Sequence, residues 1–157
     1  MLVLAVGCAV APITGRKQLL VIPAGEMLSL SSESYAQVLK ESKVSTNQKY
    51  VNSVRNVGVR LTAAVKQYLQ QNNLQSSIEG YQWQYTVLQS EEVNAWCMPG
   101  GQIAFYEGIM PICADDNGIA VVMGHEIAHA IAQHGNERMS QQLMLQMGGV
   151  ALSEALK

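Results

Sequence analysis

The stretch that most constrains this chain is residues 118–135, GIAVVMGHEIAHAIAQHG, which carries His125-Glu126-x-x-His129. Apolar residues at 119, 122, 127, 128 and 131 recur close to a helical period. Asp115, Asp116 and Asn117 precede them as N-cap candidates, with acidic charge where the helix dipole favours it. Gly135 follows as the expected C-cap. Residues four apart on a helix lie one above the other, so His125 and His129 are expected to present two imidazoles to one point. A helix offers Zn²⁺ a pair of ligands in this way. Glu126, one step round, can take a proton from water that zinc has acidified to a pKa of about 7. The pattern therefore supplies two metal ligands and a general base.

The competing reading is a chance meeting of two histidines and a glutamate on a solvated helix face. The apolar flanks, Val121, Val122, Ile127, Ala128, Ala130, Ile131 and Ala132, leave little room for such a face. Buried His and Glu would need partners, because an unpaired buried charge is costly, and a metal meets that need. His134 comes five residues after His129 and points about 140° away on an ideal helix. A third histidine ligand would stand six residues on. His134 is read as a helix-end histidine near the last carbonyls, not a ligand, with a role beside the site left open.

The 157 residues suffice for one domain with a sizeable core. A net charge of −2 gives no basic footprint for nucleic acid. Residues 1–8, MLVLAVGC, are apolar but too short to span a bilayer. They read as the end of a secretory signal and resemble a bacterial lipobox, whose cysteine, here Cys8, becomes lipidated. A basic n-region is missing, and Ala5 stands where Leu is usual. Cys97 and Cys113 are either a disulfide pair in an oxidising compartment or two buried thiols.

Along the chain, residues 19–22 read as a short strand and 26–40 as a helix. A capping box, Ser45-x-x-Gln48, opens a second helix running to about Gln71, with an apolar stripe from Val51 to Leu69 that suits core packing. The run 70–77 reads as a loop. Residues 82–88, 93–98 and 102–106 read as strands, the last two joined by the turn Pro99-Gly100-Gly101. A short helix is expected over 107–113 and another over 138–156, interrupted at Gly148-Gly149.

Four pieces, taken in order, carry a likeness to a known family. They are a cysteine followed by Pro12-x-Thr14-Gly15-Arg16-x-Gln18; Asn94-Ala95-x-x-x-Pro99-Gly100-Gly101; the short helix after it; and Gly124-His125-Glu126-Ile127-Ala128-His129-Ala130 with His134. Together they resemble the zinc metallopeptidases related to HtpX and the CAAX prenyl protease, most of all their bacterial periplasmic lipoprotein branch. The resemblance implies an α+β, zincin-like (gluzincin) minimal domain over residues 23–157, after an anchor and linker over 1–22. In such a domain the active-site helix packs under a small antiparallel sheet with N-terminal helices. It also implies Zn²⁺ as cofactor, His125 and His129 as ligands, and Glu126 as catalytic base. An extended polypeptide would be held along a sheet edge by Asn94, Ala95, Pro99, Gly100 and Gly101. An exposed edge suits this, because it offers unpaired N–H and C=O groups. Pro99-Gly100-Gly101 also reads simply as a hairpin turn, and glycine there would allow a backbone to approach closely.

One departure is marked. The family's third ligand is a glutamate on a later helix, and neither Glu137 nor Glu154 stands in its setting. The chain is then truncated, completed by a partner, or a degenerate relative. Self-association could cover an exposed Met-rich helix at its end. The expected function is a metalloendopeptidase acting on unfolded or misassembled proteins of the bacterial cell envelope, held to the periplasmic side of the outer membrane through Cys8. The alternative is a non-catalytic peptide-binding chaperone or assembly module with an incomplete metal site.

Overall fold

The computed structural model describes residues 8–155. The expected signal remnant at 1–7, and the side chains of Cys8 and Glu154, lie outside the described residues. Strands β1 (Cys8–Val10) and β2 (Lys17–Leu19) form an antiparallel pair. Helices α1 (Ala24–Glu41) and α2 (Gln48–Gln71) follow, then a single 3₁₀ turn, Gln75–Ile78. The main sheet consists of β3 (Gln84–Leu88), β4 (Ala95–Cys97) and β5 (Gln102–Tyr106). A 3₁₀ turn, Glu107–Ile109, leads into α3 (Met110–Cys113), α4 (Asp116–Ile131) and α5 (His134–Ala155).

The sheet order is β3-β5-β4. The hairpin β4–β5 is antiparallel, whereas β3 runs parallel to β5. The sheet is therefore mixed, not wholly antiparallel as the resemblance implied. The reason is the path from β3. Residues 89–94 carry the chain across the end of β5, so β4 pairs on the far side and β5 returns up the middle. Burial follows the strand period. Tyr85, Val87, Ile103 and Phe105 pack on the core side, joined by Ala95 and Cys97. They meet Val54 and Val57 of α2 and Ile119, Met123, Ile127 and Ile131 of α4. Each fully buried side chain of this kind, such as Phe105 or Met123, contributes about 1.5–3 kcal/mol relative to exposure.

Two contacts fix α2 against β3. Gly58 lets the Tyr85 ring close in, since a Cβ there would fall 2.4 Å from it. The Tyr85 hydroxyl then lies 2.6 Å from Thr62 Oγ1. Helix α1 covers the opposite sheet face through Tyr35, whose hydroxyl is 2.6 Å from Thr86 Oγ1 and whose ring meets Trp96 edge-on. Residues 43–45 run along the outer edge of β3 and bond to it, through Ser45 N–H to Val87 C=O and Gln89 N–H to Lys43 C=O. The edge at β4 has no such cover among the described residues.

Several element ends differ from expectation. Asn47, not Ser45, caps α2 by accepting from Lys49 and Tyr50; Ser45 Oγ bonds the carboxylate of Glu107. Helix α4 is capped as expected, by Asp115, which accepts from Asn117 and Gly118. It ends at Ala132, before the expected Gly135, and Gln133 takes the left-handed conformation at φ +59°. Helix α5 restarts at His134 and continues through Gly148-Gly149 without interruption. Cys97 on β4 and Cys113 at the end of α3 are free thiols, which leaves the disulfide alternative unrealised.

Gly118 shows how tightly the start of α4 is set. A Cβ there would lie 1.9 Å from the carbonyl oxygen of Cys113, a backbone atom with little freedom to yield. Gly118→Ala is expected to destabilise the fold by about 1–3 kcal/mol or more, as overpacking does. Thermal unfolding followed by circular dichroism should show a melting midpoint several degrees lower.

Candidate metal centre

Helix α4 buries one stripe, Ile119, Met123, Ile127 and Ala130, against the sheet and α2. The opposite stripe carries His125 and His129, and both imidazoles are exposed. Val121 and Ala128 are exposed beside them, Val121 at 74%. The expectation that apolar flanks bury the histidines is thus corrected: the apolar residues outnumber the positions the core can cover. What brings the histidines together is helical spacing. His125 Nε2 and His129 Nε2 are 2.9 Å apart, with ring centroids at 4.4 Å and planes nearly perpendicular.

This pair fits a metal. Two imidazole nitrogens on one tetrahedral zinc, each at about 2.0–2.1 Å, stand roughly 3.3 Å apart. The observed 2.9 Å reaches that by a small side-chain rotation. Glu126 is half-buried. The thiol of Cys97 is pushed up to about 12, first by its burial and then by the charge of Glu126, so the carboxylate lies within electrostatic reach of β4. Among the described residues no group of three His, Cys, Asp or Glu side chains could hold a metal ion. Glu137 is turned elsewhere, into a two-pronged pair with Arg16 at 2.8 and 2.5 Å.

His134 does not point away. The helix breaks at Ala132–Gln133, and the restarted α5 brings His134 Nδ1 to 2.6 Å from His129 Nδ1. Burial and the neighbouring His129 hold His134 below the ordinary imidazole value. Sequence periodicity missed this contact because neither Ala132 nor Gln133 is a breaker. Gly135 was the one local signal, and it lies in the first turn of α5 instead of ending α4. The Tyr81 hydroxyl donates to the Ala130 carbonyl at 3.2 Å, a further tie to the end of α4 that periodicity could not supply.

The expected edge residues divide into two sets. Asn94 is exposed, and its carbonyl accepts from Tyr106 N–H. Met98 N–H donates to Gln102 C=O. Strand alternation then turns the N–H and C=O groups of Ala95 and Cys97 to the open side of the sheet. Gly100 and Gly101 are buried in the hairpin turn at φ +104° and +91°. Their carbonyls accept from Gln82 and Gln84, so they serve the turn and the entrance to β3. Pro99 packs toward the start of α5, where a Cβ on Gly135 would lie 3.9 Å from it.

A helix carrying two converging histidines beneath a short mixed sheet, with Glu126 next to His125 in sequence, is the arrangement of a zincin-like metallopeptidase domain. Residues 59–156, well over half the chain, match the model of peptidase family M48, and the chain belongs to that family. It is 26% identical over 148 residues to the mitochondrial metalloendopeptidase OMA1 of Saccharomyces cerevisiae, covering 90% of this chain and 42% of the yeast protein. It is 30% identical over 131 residues to the mitochondrial metalloendopeptidase OMA1 of Bos taurus, covering 83% and 24%. Over 84 residues it is 33% identical to the metalloprotease LoiP of Escherichia coli, covering 54% and 33%. The chain thus spans less than half the length of these relatives. The expected bacterial-envelope location is overturned by the same comparison. The relatives matched across most of this chain are mitochondrial by name, while the Escherichia coli protein matches about half of it.

Glu137 sits below its ordinary value of 4.5 because Arg16 bonds its charged form. The stability this lends is complete above pH 4.5 and is lost as pH falls through the lowered value. Arg16→Gln is therefore expected to lower the melting midpoint slightly at neutral pH, the pair being solvent-exposed. The wild-type and variant midpoints should converge in acid when thermal unfolding is followed against pH.

Proposed function

We propose that this chain forms the catalytic region of a zinc-dependent endopeptidase that cleaves unfolded or misassembled polypeptides. The observation that carries the reading is the convergence of His125 Nε2 and His129 Nε2 to 2.9 Å on an exposed helix face. His125 and His129 would hold the ion. Zinc, when bound, acidifies water and polarises a carbonyl. Glu126, adjacent in sequence and near β4, accepts the proton from the attacking water and returns it to the leaving amine. The open edge of β4 supports an extended substrate, because backbone N–H and C=O groups pair with any main chain whatever its side chains. That indifference to sequence suits unfolded chains, whose backbones are free to extend.

The alternative, a peptide-binding module without catalysis, draws on the lack of a third donor among the described residues. The two readings part on Glu126. For the enzyme, Glu126→Gln should retain zinc and lower casein cleavage by about 10²–10⁴-fold, the usual worth of a general base. Dialysis against a chelator should abolish cleavage and added Zn²⁺ restore it. Equal cleavage by wild type and variant would defeat Glu126 as the general base, whereas peptide binding untouched by both treatments, with no cleavage at all, would favour the binding module.

A further inference from the structure

We propose that His134 is a positioning residue: it accepts the Nδ1–H of His129, so fixing that ring with its Nε2 free for the metal. The inference rests on the zinc reading above. His129 touches a histidine at each nitrogen, His125 through Nε2 at 2.9 Å and His134 through Nδ1 at 2.6 Å. A neutral imidazole carries one proton. For Nε2 of His129 to bind a cation as a lone pair, that proton must sit on Nδ1, and it then points at His134 Nδ1. His134 must receive it there and keep its own hydrogen on Nε2. The ring nitrogen of a ligand histidine facing away from the metal ordinarily donates to an acceptor that sets its tautomer and orientation. Here the acceptor comes from the next helix.

The contact is built, not incidental. Gln133 adopts φ +59° to turn the chain, and the start of α5 is then tied down by the residues before α1. Asn136 Nδ2 donates to the Ile22 carbonyl at 3.0 Å, and Val21 N–H donates to Ser140 Oγ at 3.0 Å. Ser140 Oγ donates in turn to Asn136 Oδ1 at 3.1 Å, and both residues are fully buried. Arg16 grips Glu137, one turn beyond His134. The segment 16–22 therefore acts as a clamp that holds His134 against His129.

The test compares wild type with His134→Phe, which keeps a flat ring without an acceptor, and His134→Asn, which keeps an acceptor near the Nδ1 position. In metal-free protein at about pH 8, above the ordinary imidazole range, ¹⁵N shifts should place the His129 proton on Nδ1 in wild type and His134→Asn. In His134→Phe it should move to Nε2. Zn²⁺ affinity, measured by competition with a chromophoric chelator, should fall about 10–100-fold in His134→Phe and stay within a few-fold of wild type in His134→Asn. Circular dichroism identifies any variant that fails to fold, and the wild-type ¹⁵N shifts decide the hydrogen bond without it. A wild-type His129 protonated on Nε2, or a His134→Phe protein that binds Zn²⁺ as tightly as wild type, overturns the positioning role alone. Wild type that binds no Zn²⁺, while its His129 carries the proton on Nδ1, overturns the zinc reading instead and leaves His134 orienting a ring with no ion to serve.

Discussion

The seating of α4 under the sheet is the constraint on which the site depends. Met123 and Ile127 are fully enclosed by Phe105, Ile103 and the α2 residues, so the helix can neither roll nor slide without opening the core. With the inner stripe fixed, the outer one is fixed too, and the two imidazoles inherit their mutual geometry from the packing behind them. Packing sets where the two histidines stand on the helix, and the contact with His134 adds the orientation of the His129 ring. The cost of displacing them is that of disturbing close-packed side chains, where even one methylene is felt.

Much of this was written plainly in the residues. His125 and His129 at helical spacing, Asp115 as cap and Gln102 to Tyr106 as a strand follow from period and turn chemistry, and all appear where those rules put them. Strand pairing was not legible. Nothing local in residues 84–88 tells a strand whether its neighbour will run with it or against it, since that depends on the route of 89–94. The exposure of His125 and His129 was misjudged for a related reason. Composition counts apolar residues but does not say how much core surface stands opposite them, and α4 carries more apolar side chains than the sheet and α2 can cover. His134 was beyond reach because a single left-handed residue, Gln133, changes the direction of everything after it, and Gln carries no mark of that conformation.

The beginning of the chain gains a physical role from the same geometry. Arg16, Val21 and Ile22 all bond to the first turns of α5. Residues assigned in sequence to an anchor and linker are, in the fold, bonded to the start of α5 just beyond His134. The family match over 59–156 begins well after them, so the clamp is joined to the matched region by side-chain and backbone hydrogen bonds and not by continuity of chain.

The brevity of β4 has a consequence of its own. Only Ala95 and Cys97 turn their backbone groups outward, two N–H and two C=O in all. At about 1 kcal/mol net for each hydrogen bond, a polypeptide lying there gains roughly 4 kcal/mol from the edge, against which stands the freedom lost on association. On the peptidase reading proposed above, so light a grip would favour quick exchange over storage. The same shortness guards the molecule against itself, because two copies meeting edge to edge would find too few partners to zip into a lasting aggregate.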